Sequence, residues 1–381
     1  MKFPSTLMLG LLVLSCPAHA QVKIGVTLPI TGPAATLGIG SRNAMSLAPM
    51  KVGDTSIQFI VLDDATDTTR TVVNVRKLID EEHVDAIIGS ATAQQCLAQL
   101  EVIAPAKTPA ICNSATRAVT EPVDEKRHWI FKTAASDSIM AGPLFKHMKS
   151  HGVKTIGFIG FDDAYGEGWL KELNQRAASE NLTISAVERY ARRDVDVTGQ
   201  VLKLISTKPD AILVVGSGSP ATLPVMALSQ RGYKGLVYLS SGVASMDFLR
   251  VGGRALNGAI AGVAPSLVWE QLPDSHPTKA AAAKFMPAYE EKFGKENRSI
   301  FAPQAYDAWI IIEKALPAAL AKAKPGTEAF RIALRDEIEV THELTANSGV
   351  FNFSPTDHAG MDERAVVLVR IDNGKWILEK E

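Results

Sequence analysis

The sequence predicts an α/β protein with parallel sheets arranged in two domains. Its 381 residues exceed what one hydrophobic core usually holds, so two domains are expected. Short apolar, β-branched stretches alternate with longer helical ones, which is typical of parallel strands covered by helices on both faces. The strand–helix series begins twice, at VKIGVTLPITGPAATLG and at VKTIGFIGFDDAYGEGW. These similar starts indicate a weak duplication of one α/β unit, although two unrelated units would share the same local patterns.

The predicted elements follow this alternation along the chain. The first series contains strands at 22–28, 57–63, 86–89 and 109–112, with helices from about Ser41, at 68–82 and near 94–106. The second contains strands at 154–160, 184–190, 211–216 and 236–241, with helices at 169–181, 197–208 and 222–232. Amphipathic helices follow at 275–294 and 303–323, and Pro317 is expected to kink or break the second of them. Short strands then close the chain, with Asn373-Gly374 as a hairpin signal.

Composition and motifs exclude several classes of function. Forty basic against 41 acidic residues leave a net charge of −1, so there is no basic field for a nucleic-acid backbone. GSGSP lacks the last glycine of a nucleophile elbow, and no phosphate-binding loop is present in the sequence. His147 and His151 are four residues apart without a third metal ligand, and Asp63, Asp64 and Asp67 fit a helix start better than a calcium loop. The sequence therefore predicts neither an enzyme nor a metal or cofactor site.

The first twenty residues have the pattern of a secretory signal peptide. A lysine precedes a short apolar stretch at 7–15, and Ala-His-Ala at 18–20 fits a cleavage site, so the mature chain is expected to begin near Gln21. Cys16 leaves a lipid anchor as the alternative, although its neighbours fit a lipoprotein box poorly.

Two cysteines, Cys96 and Cys112, remain in the mature chain. A helix start at the first and a strand end at the second would place both at one edge of the sheet. The sequence is compatible with either a disulfide or two buried free thiols.

Two loops with small residues and hydroxyl groups form the best candidate for a binding site. GSATAQQ (89–95) and ICNSAT (111–116) each follow a predicted strand, and the carboxyl ends of parallel strands form the crevice in which open α/β sheets bind ligands. Free N–H groups and Ser/Thr hydroxyls make a neutral cradle for a carboxylate. The alternative is that these residues merely cap two helices.

The order of these motifs resembles that of type I periplasmic binding proteins. TLPITGPAATLG, VLDDATD, AIIGS, ICNSAT, FDDAYGEGW and FAPQAYDA make the mature chain similar to the leucine/isoleucine/valine-binding family of ABC importers. The resemblance implies two Rossmann-like lobes joined by a three-segment hinge, with the ligand in the interlobe cleft. We expect lobe 1 at 21–138 plus 267–345 and lobe 2 at 139–266 plus 346–381. The resemblance also implies no cofactor, a permease and an ATPase as partners, and a monomeric receptor in the periplasm.

The resemblance further implies which residues contact the ligand. Ser114 and Thr116 match carboxylate-binding residues, Tyr165 matches an aromatic residue that covers the ligand, and Phe301 matches an aromatic residue in the third segment. The aspartates of FDDAYGEGW are expected to cap the turn and line the rim. The complete predicted set is Leu37, Thr92, Ala93, Gln94, Ser114, Ala115, Thr116, Tyr165, Gly218, Ser241 and Phe301.

Three of these positions depart from the amino-acid-binding members of the family. Ala93 replaces a serine, Ser241 replaces the acid that holds the ligand ammonium, and Gly218 replaces a tyrosine. An uncompensated ammonium in a closed cleft would cost several kcal/mol. TGPAATLG and GSGSPATLP instead resemble a branch associated with aromatic carboxylic acids, such as benzoate and cinnamate derivatives. An aliphatic amino-acid receptor, a ligand-presenting sensor and a secreted hydrolase remain as alternatives.

Overall fold

The computed structural model describes residues 21–379, which form two lobes, each built around a mainly parallel sheet. The predicted signal peptide and Cys16 lie outside the described residues. The strands are β1 (Gln21–Leu28), β2 (Lys51–Val52), β3 (Thr55–Asp63), β4 (Ala86–Gly89), β5 (Ala110–Cys112), β6 (Ile130–Lys132), β7 (Thr155–Phe161), β8 (Thr183–Tyr190), β9 (Ala211–Val215), β10 (Leu236–Leu239), β11 (Ile260–Val263), β12 (Leu344–Thr345), β13 (Val350–Phe351), β14 (Val367–Asp372) and β15 (Lys375–Leu378). The helices are α1 (Ala35–Met45), α2 (Thr68–Asp80), α3 (Ala93–Ile103), α4 (Asp137–Ser150), α5 (Ala164–Glu180), α6 (Thr198–Ser206), α7 (Thr222–Gln230), α8 (Met246–Gly252), α9 (Lys279–Phe293), α10 (Phe301–Lys322) and α11 (Glu328–Glu339).

The sheet of lobe 1 has the strand order β2-β3-β1-β4-β5-β6. Every neighbouring pair in it is parallel except β2 with β3. Val22, Ile24 and Val26 of β1 have no exposed surface, and β4 is buried along its whole length. Such continuous burial is what helices on both faces of a parallel sheet require, and it confirms the predicted strands of this lobe. The short strands β2 and β6 were not predicted.

The sheet of lobe 2 has the order β15-β14-β11-β10-β9-β7-β8. Strands β7 to β11 are parallel, while β14 and β15 form an antiparallel edge. The turn between β14 and β15 confirms the predicted hairpin. Asp372 pairs with Lys375, and both turn residues have positive φ, 49° for Asn373 and 73° for Gly374, as a two-residue hairpin turn requires.

The chain passes between the lobes three times. It leaves lobe 1 after β6, returns after β11 so that α10 packs against α1, and enters the sheet of lobe 2 again at β14. This is the three-segment connection that the family resemblance implies. The lobe boundaries at 138/139, 266/267 and 345/346 stay a prediction.

Three of the predicted helices differ most from the structure, and α8 and α11 were not predicted. Helix α1 begins at Ala35 instead of near Ser41, and α5 begins at Ala164 instead of at 169. Helix α10 continues past Pro317 without a break, because its packing against α1 and α11 outweighs the lost hydrogen bond. No helix within residues 21–379 is long and apolar enough to cross a membrane.

Candidate ligand-binding cleft

The candidate site is a cavity between the lobes, at the carboxyl ends of parallel strands in both sheets. Its volume is about 400 Å³, including space that is open to solvent. Lobe 1 contributes the loops after β4, β5 and β6 and the first turns of α1 and α10, and lobe 2 contributes the start of α5 and the loops after β8, β9 and β10. This is the location at which open α/β sheets bind ligands. Of the predicted residues, the lining includes Leu37, Thr92, Ala93, Ser114, Ala115, Tyr165, Ser241 and Phe301.

The other predicted residues lie outside this lining. Gln94 is exposed on α3. Thr116 is buried beside α5, where a Cβ on Gly168 would lie 3.6 Å from its methyl group. Gly218 has φ +61°, which explains why the position holds glycine, and a Cβ on it would lie 3.5 Å from Cδ1 of Leu37. These three positions therefore do not face the cavity directly.

The first polar part of the cavity is the start of α3. Thr92 is the residue before the helix, yet its side chain makes no capping hydrogen bond, and its hydroxyl has no partner among the described residues. The first N–H groups of α3, beginning at Ala93, consequently lack a side-chain cap. The interpretation that Thr92 merely caps a helix is therefore wrong. A helix N-terminus beside an unpaired hydroxyl is suited to receive a carboxylate.

The second polar part is the loop after β5. A buried lysine donates hydrogen bonds to two carbonyl oxygens of this loop. Lys132 is fully buried, and its Nζ donates to the carbonyl oxygens of Ala115 at 3.1 Å and Thr116 at 3.4 Å. Since the N–H and C=O of a trans peptide point in opposite directions, the N–H of Thr116 turns away from Lys132. It points toward the hydroxyl of Ser114, 3.4 Å away, which lines the cavity. Burial lowers the pKa of Lys132 to about 8, against the attraction of Asp137.

A disulfide ties these two polar parts together. Cys96 of α3 and Cys112 of β5 are bonded, with their Cα atoms 6.2 Å apart. The bond therefore joins the helix that begins at Ala93 to the strand that leads into Ser114. The sequence had left the pairing of these cysteines open.

The apolar part of the cavity combines aliphatic and aromatic side chains from both lobes. Leu37, Ile300 and Phe301 come from lobe 1, and Tyr165 comes from lobe 2. Tyr165 is buried, which raises its pKa, and its hydroxyl oxygen accepts the N–H of Gly242 at 3.3 Å. Such a lining is suited to a flat or branched apolar group.

The capping prediction for the loop before α5 is confirmed at one of its two aspartates. The carboxylate of Asp163 accepts the N–H groups of Tyr165 at 2.9 Å and Gly166 at 3.2 Å, so it caps α5. Asp162 is exposed. Because Asp163 fixes the first turn of α5, it also fixes the backbone of Tyr165.

Arg192 lines the cavity but was not among the predicted residues. Its Nε donates to Asp163 at 2.6 Å, its Nη1 donates to the hydroxyl of Ser217 at 2.7 Å, and its guanidinium lies 4.2 Å from the centroid of the Phe161 ring. The residue lies two positions after the last residue of β8, so its place after a parallel strand was the available signal. Among the lining residues within 21–379, Arg192 is the only charged one.

The other polar clusters in the sequence have structural roles. Asp67 caps α2 by accepting the N–H of Arg70 at 2.7 Å, as predicted. His147 is buried, with its Nδ1 2.9 Å from the hydroxyl of Tyr238 and its ring stacked on that of His151. In the described part of the chain, no group of three or more His, Cys, Asp or Glu residues could hold a metal ion.

Comparisons with known proteins agree with this architecture. A family model described as periplasmic binding protein matches residues 21–375. The chain is 24% identical over 377 residues to Leu/Ile/Val-binding protein homolog 7 of Brucella abortus (strain 2308), which covers 95% of this chain and 92% of that protein.

Solved structures give closer matches. The chain is 40% identical to an extracellular ligand-binding receptor from Rhodopseudomonas palustris HaA2, with a TM-score of 0.91 over 95% of this chain and all of that one. A solute-binding protein of an ABC transporter from R. palustris, solved with 4-hydroxybenzoate, gives a TM-score of 0.78 at 18% identity, covering 95% of this chain and 96% of that one. A branched-chain amino acid transporter substrate-binding protein from Streptococcus pneumoniae, solved with isoleucine, gives 0.79 at 19% identity, covering 95% and 100%. The proteins solved with 4-hydroxybenzoate and with isoleucine have the same fold as this chain.

Proposed function

The chain belongs to the periplasmic binding protein family, and we propose that, as the solute-binding component of an ABC transporter, it captures a small aromatic carboxylate between its lobes. We further propose that it acts as a monomer in the periplasm and delivers the ligand to permease and ATPase subunits. No step of chemistry on the ligand is part of this function.

The observation that carries the ligand class is the charge of the cavity lining. Within the described residues, Arg192 is its only charged side chain, and neither Asp nor Glu faces the cavity. Ser241, the position at which the family resemblance implies an acid in amino-acid-binding members, also lines the cavity. An α-ammonium group buried there would lack a counter-ion, which costs several kcal/mol. A ligand with a carboxylate and no amino group avoids this cost.

The rest of the lining supports an aromatic ring. The unpaired hydroxyl of Thr92, the first N–H groups of α3 and the hydroxyl of Ser114 offer donors to a carboxylate. Tyr165 and Phe301 supply aromatic surface for the body of the ligand. In this binding mode the carboxylate contacts lobe 1, and the ring lies between side chains of both lobes.

An aliphatic amino acid is the second candidate. The name of the curated relative refers to leucine, isoleucine and valine, and one protein of the same fold was solved with isoleucine. Another was solved with 4-hydroxybenzoate. The ligands of these relatives thus include both classes, and the lack of a carboxylate in the cavity lining favours the aromatic acid.

A thermal-shift screen tests the proposal directly. The mature protein is heated with benzoate, 4-hydroxybenzoate, cinnamate, leucine and isoleucine, each at the same concentration. A ligand that binds only the native state at 100 times its Kd stabilises it by about 2.7 kcal/mol and raises the melting temperature. We expect the aromatic acids to do so. A shift with the amino acids alone would contradict the proposal.

A further inference from the structure

The cavity has two polar ends that lie on different lobes. Thr92 and Ser114 follow strands β4 and β5 of lobe 1, whereas Arg192 and Ser217 follow strands β8 and β9 of lobe 2. A ligand whose carboxylate contacts the first end presents its opposite end to lobe 2. The chemistry of the groups at that second end therefore indicates which atoms the ligand carries on the side opposite its carboxylate.

The guanidinium of Arg192 is held in place before any ligand arrives. Its Nε donates to Asp163 at 2.6 Å, and Asp163 is itself fixed as the cap of α5. The guanidinium also packs on the ring of Phe161 at 4.2 Å, and only 11% of the Arg192 side chain is exposed. A donor that is already oriented loses little conformational freedom when a ligand binds.

Both side chains at this end keep hydrogen atoms for a ligand. Arginine has five N–H donors, and within residues 21–379 only Nε and Nη1 of Arg192 have hydrogen-bond partners, so Nη2 is unused. The hydroxyl oxygen of Ser217 accepts from Arg192, which leaves its own hydrogen to donate. The second end of the cavity therefore offers donors and favours an oxygen atom.

The charges of Arg192 and Asp163 determine which kind of ligand oxygen fits this end best. Asp163 already neutralises Arg192, because their side chains form a buried ion pair. A second carboxylate would place another negative charge beside Asp163, and like charges at short distance repel. A neutral oxygen, such as a ring hydroxyl, accepts the remaining N–H and O–H groups without this repulsion.

We infer that Arg192 and Ser217 bind a ring hydroxyl at the end opposite the carboxylate, so the ligand is a hydroxylated aromatic acid. This inference rests on the proposed function. It assigns to lobe 2 the recognition of one substituent, whereas the proposed function requires only a carboxylate and a ring.

Calorimetric titration of the mature protein with benzoate and with 4-hydroxybenzoate tests this inference. We expect 4-hydroxybenzoate to bind at least about tenfold more tightly, as a hydrogen bond to a charged donor would give. Arg192→Met should remove most of that difference, because it should weaken the binding of 4-hydroxybenzoate more than that of benzoate. Arg193→Met, in the exposed neighbouring position, is the matched control and should leave both affinities unchanged.

Several results would overturn the inference. One is that wild-type protein binds 4-hydroxybenzoate and benzoate with equal affinity. Another is that Arg192→Met loses the same factor of affinity for both acids, or loses none for either. If Arg192→Met does not fold, Arg192→Lys should lower the ratio, and an unchanged ratio counts against the inference. Wild-type protein that binds benzoate without preferring the hydroxylated acid would leave the proposed function standing. Protein that binds neither acid would overturn both.

Discussion

Ser114 and Thr116 are two residues apart, but their side chains have different surroundings. Ser114 lines the cavity, whereas the hydroxyl of Thr116 is buried outside the lining. We therefore expect Ser114→Ala to weaken the binding of 4-hydroxybenzoate by roughly 1.5–3 kcal/mol, the value of a hydrogen bond to a charged group. Thr116→Ala should weaken ligand binding less, because the Thr116 side chain lies outside the cavity lining and the substitution keeps its backbone N–H. Titration calorimetry of both variants checks this order, and a larger loss in Thr116→Ala would show that the carboxylate lies elsewhere.

Lys132 should make ligand affinity depend on pH. Its ammonium group lies behind the loop at 113–116, and the groups that act on its charge include Asp137, Glu121, Asp357 and Arg117. Burial lowers its pKa to about 8, so it is charged below pH 8 and attracts an anion in the cleft. Benzoate affinity should therefore be constant between pH 6 and 7 and fall as pH rises through 8.

The control for this prediction is Lys132→Met, which should bind benzoate more weakly and without that pH dependence. An equal fall in affinity for variant and wild type would contradict the role of Lys132.

The effect of pH on the stability of the protein should be opposite to its effect on ligand affinity. Because the folded pKa lies below the ordinary value of 10.5, the unfolded chain binds more protons between pH 8 and 10.5. The free energy of unfolding should rise with pH across that window.

The resemblance to the family predicted half of the lining residues, eight of sixteen, and Arg192 is among those that it missed. Its side chain reaches the cavity because it packs on Phe161 and pairs with Asp163, which precedes it by 29 residues. Such contacts depend on how β7 and β8 pair and on where α5 begins. Neither local pattern nor motif order contains that information.

At the scale of elements, the disulfide between α3 and β5 should stabilise lobe 1. It closes a loop with a sequence separation of 16 residues, for which the loss of unfolded-state entropy corresponds to about 3 kcal/mol. Cys96→Ser/Cys112→Ser should therefore melt several degrees below wild type. Reductant should lower the melting temperature of wild type toward that of the variant and leave the variant unchanged. Equal melting temperatures for wild type and variant under oxidising conditions would show that the bond contributes no stability.

Strands were easier to predict than helix starts, for a physical reason. Strands buried on both faces are continuous apolar runs, so β1, β4 and β9 are visible in the sequence. The starts of α1 and α5 contain glycines that resemble turn signals. In the structure those glycines allow close packing, since a Cβ on Gly38 would lie 2.2 Å from the carbonyl oxygen of Pro29. The same residue type thus marks either a turn or a tight contact, and only the fold distinguishes them.

At the scale of the whole molecule, two lobes joined by three segments should close around the ligand. Contacts between the lobes exist beside the cavity, where the hydroxyl of Thr36 lies 3.5 Å from the carboxylate of Asp247. Small-angle scattering should show a smaller radius of gyration when 4-hydroxybenzoate saturates the protein. Leucine at the same concentration is the control and should leave the profile unchanged. Identical profiles with and without a ligand whose binding is established by titration would contradict closure.

The central claim is that the cleft recognises a carboxylate on a ring and has no anchor for an α-ammonium group. A competition titration of the wild-type mature protein with 4-hydroxybenzoate and leucine tests it most directly. The claim predicts that 4-hydroxybenzoate binds at least about a hundredfold more tightly, a difference of roughly 2.7 kcal/mol in binding free energy. Tighter binding of leucine would contradict the aromatic-acid assignment and identify the protein as an amino-acid receptor of the same fold.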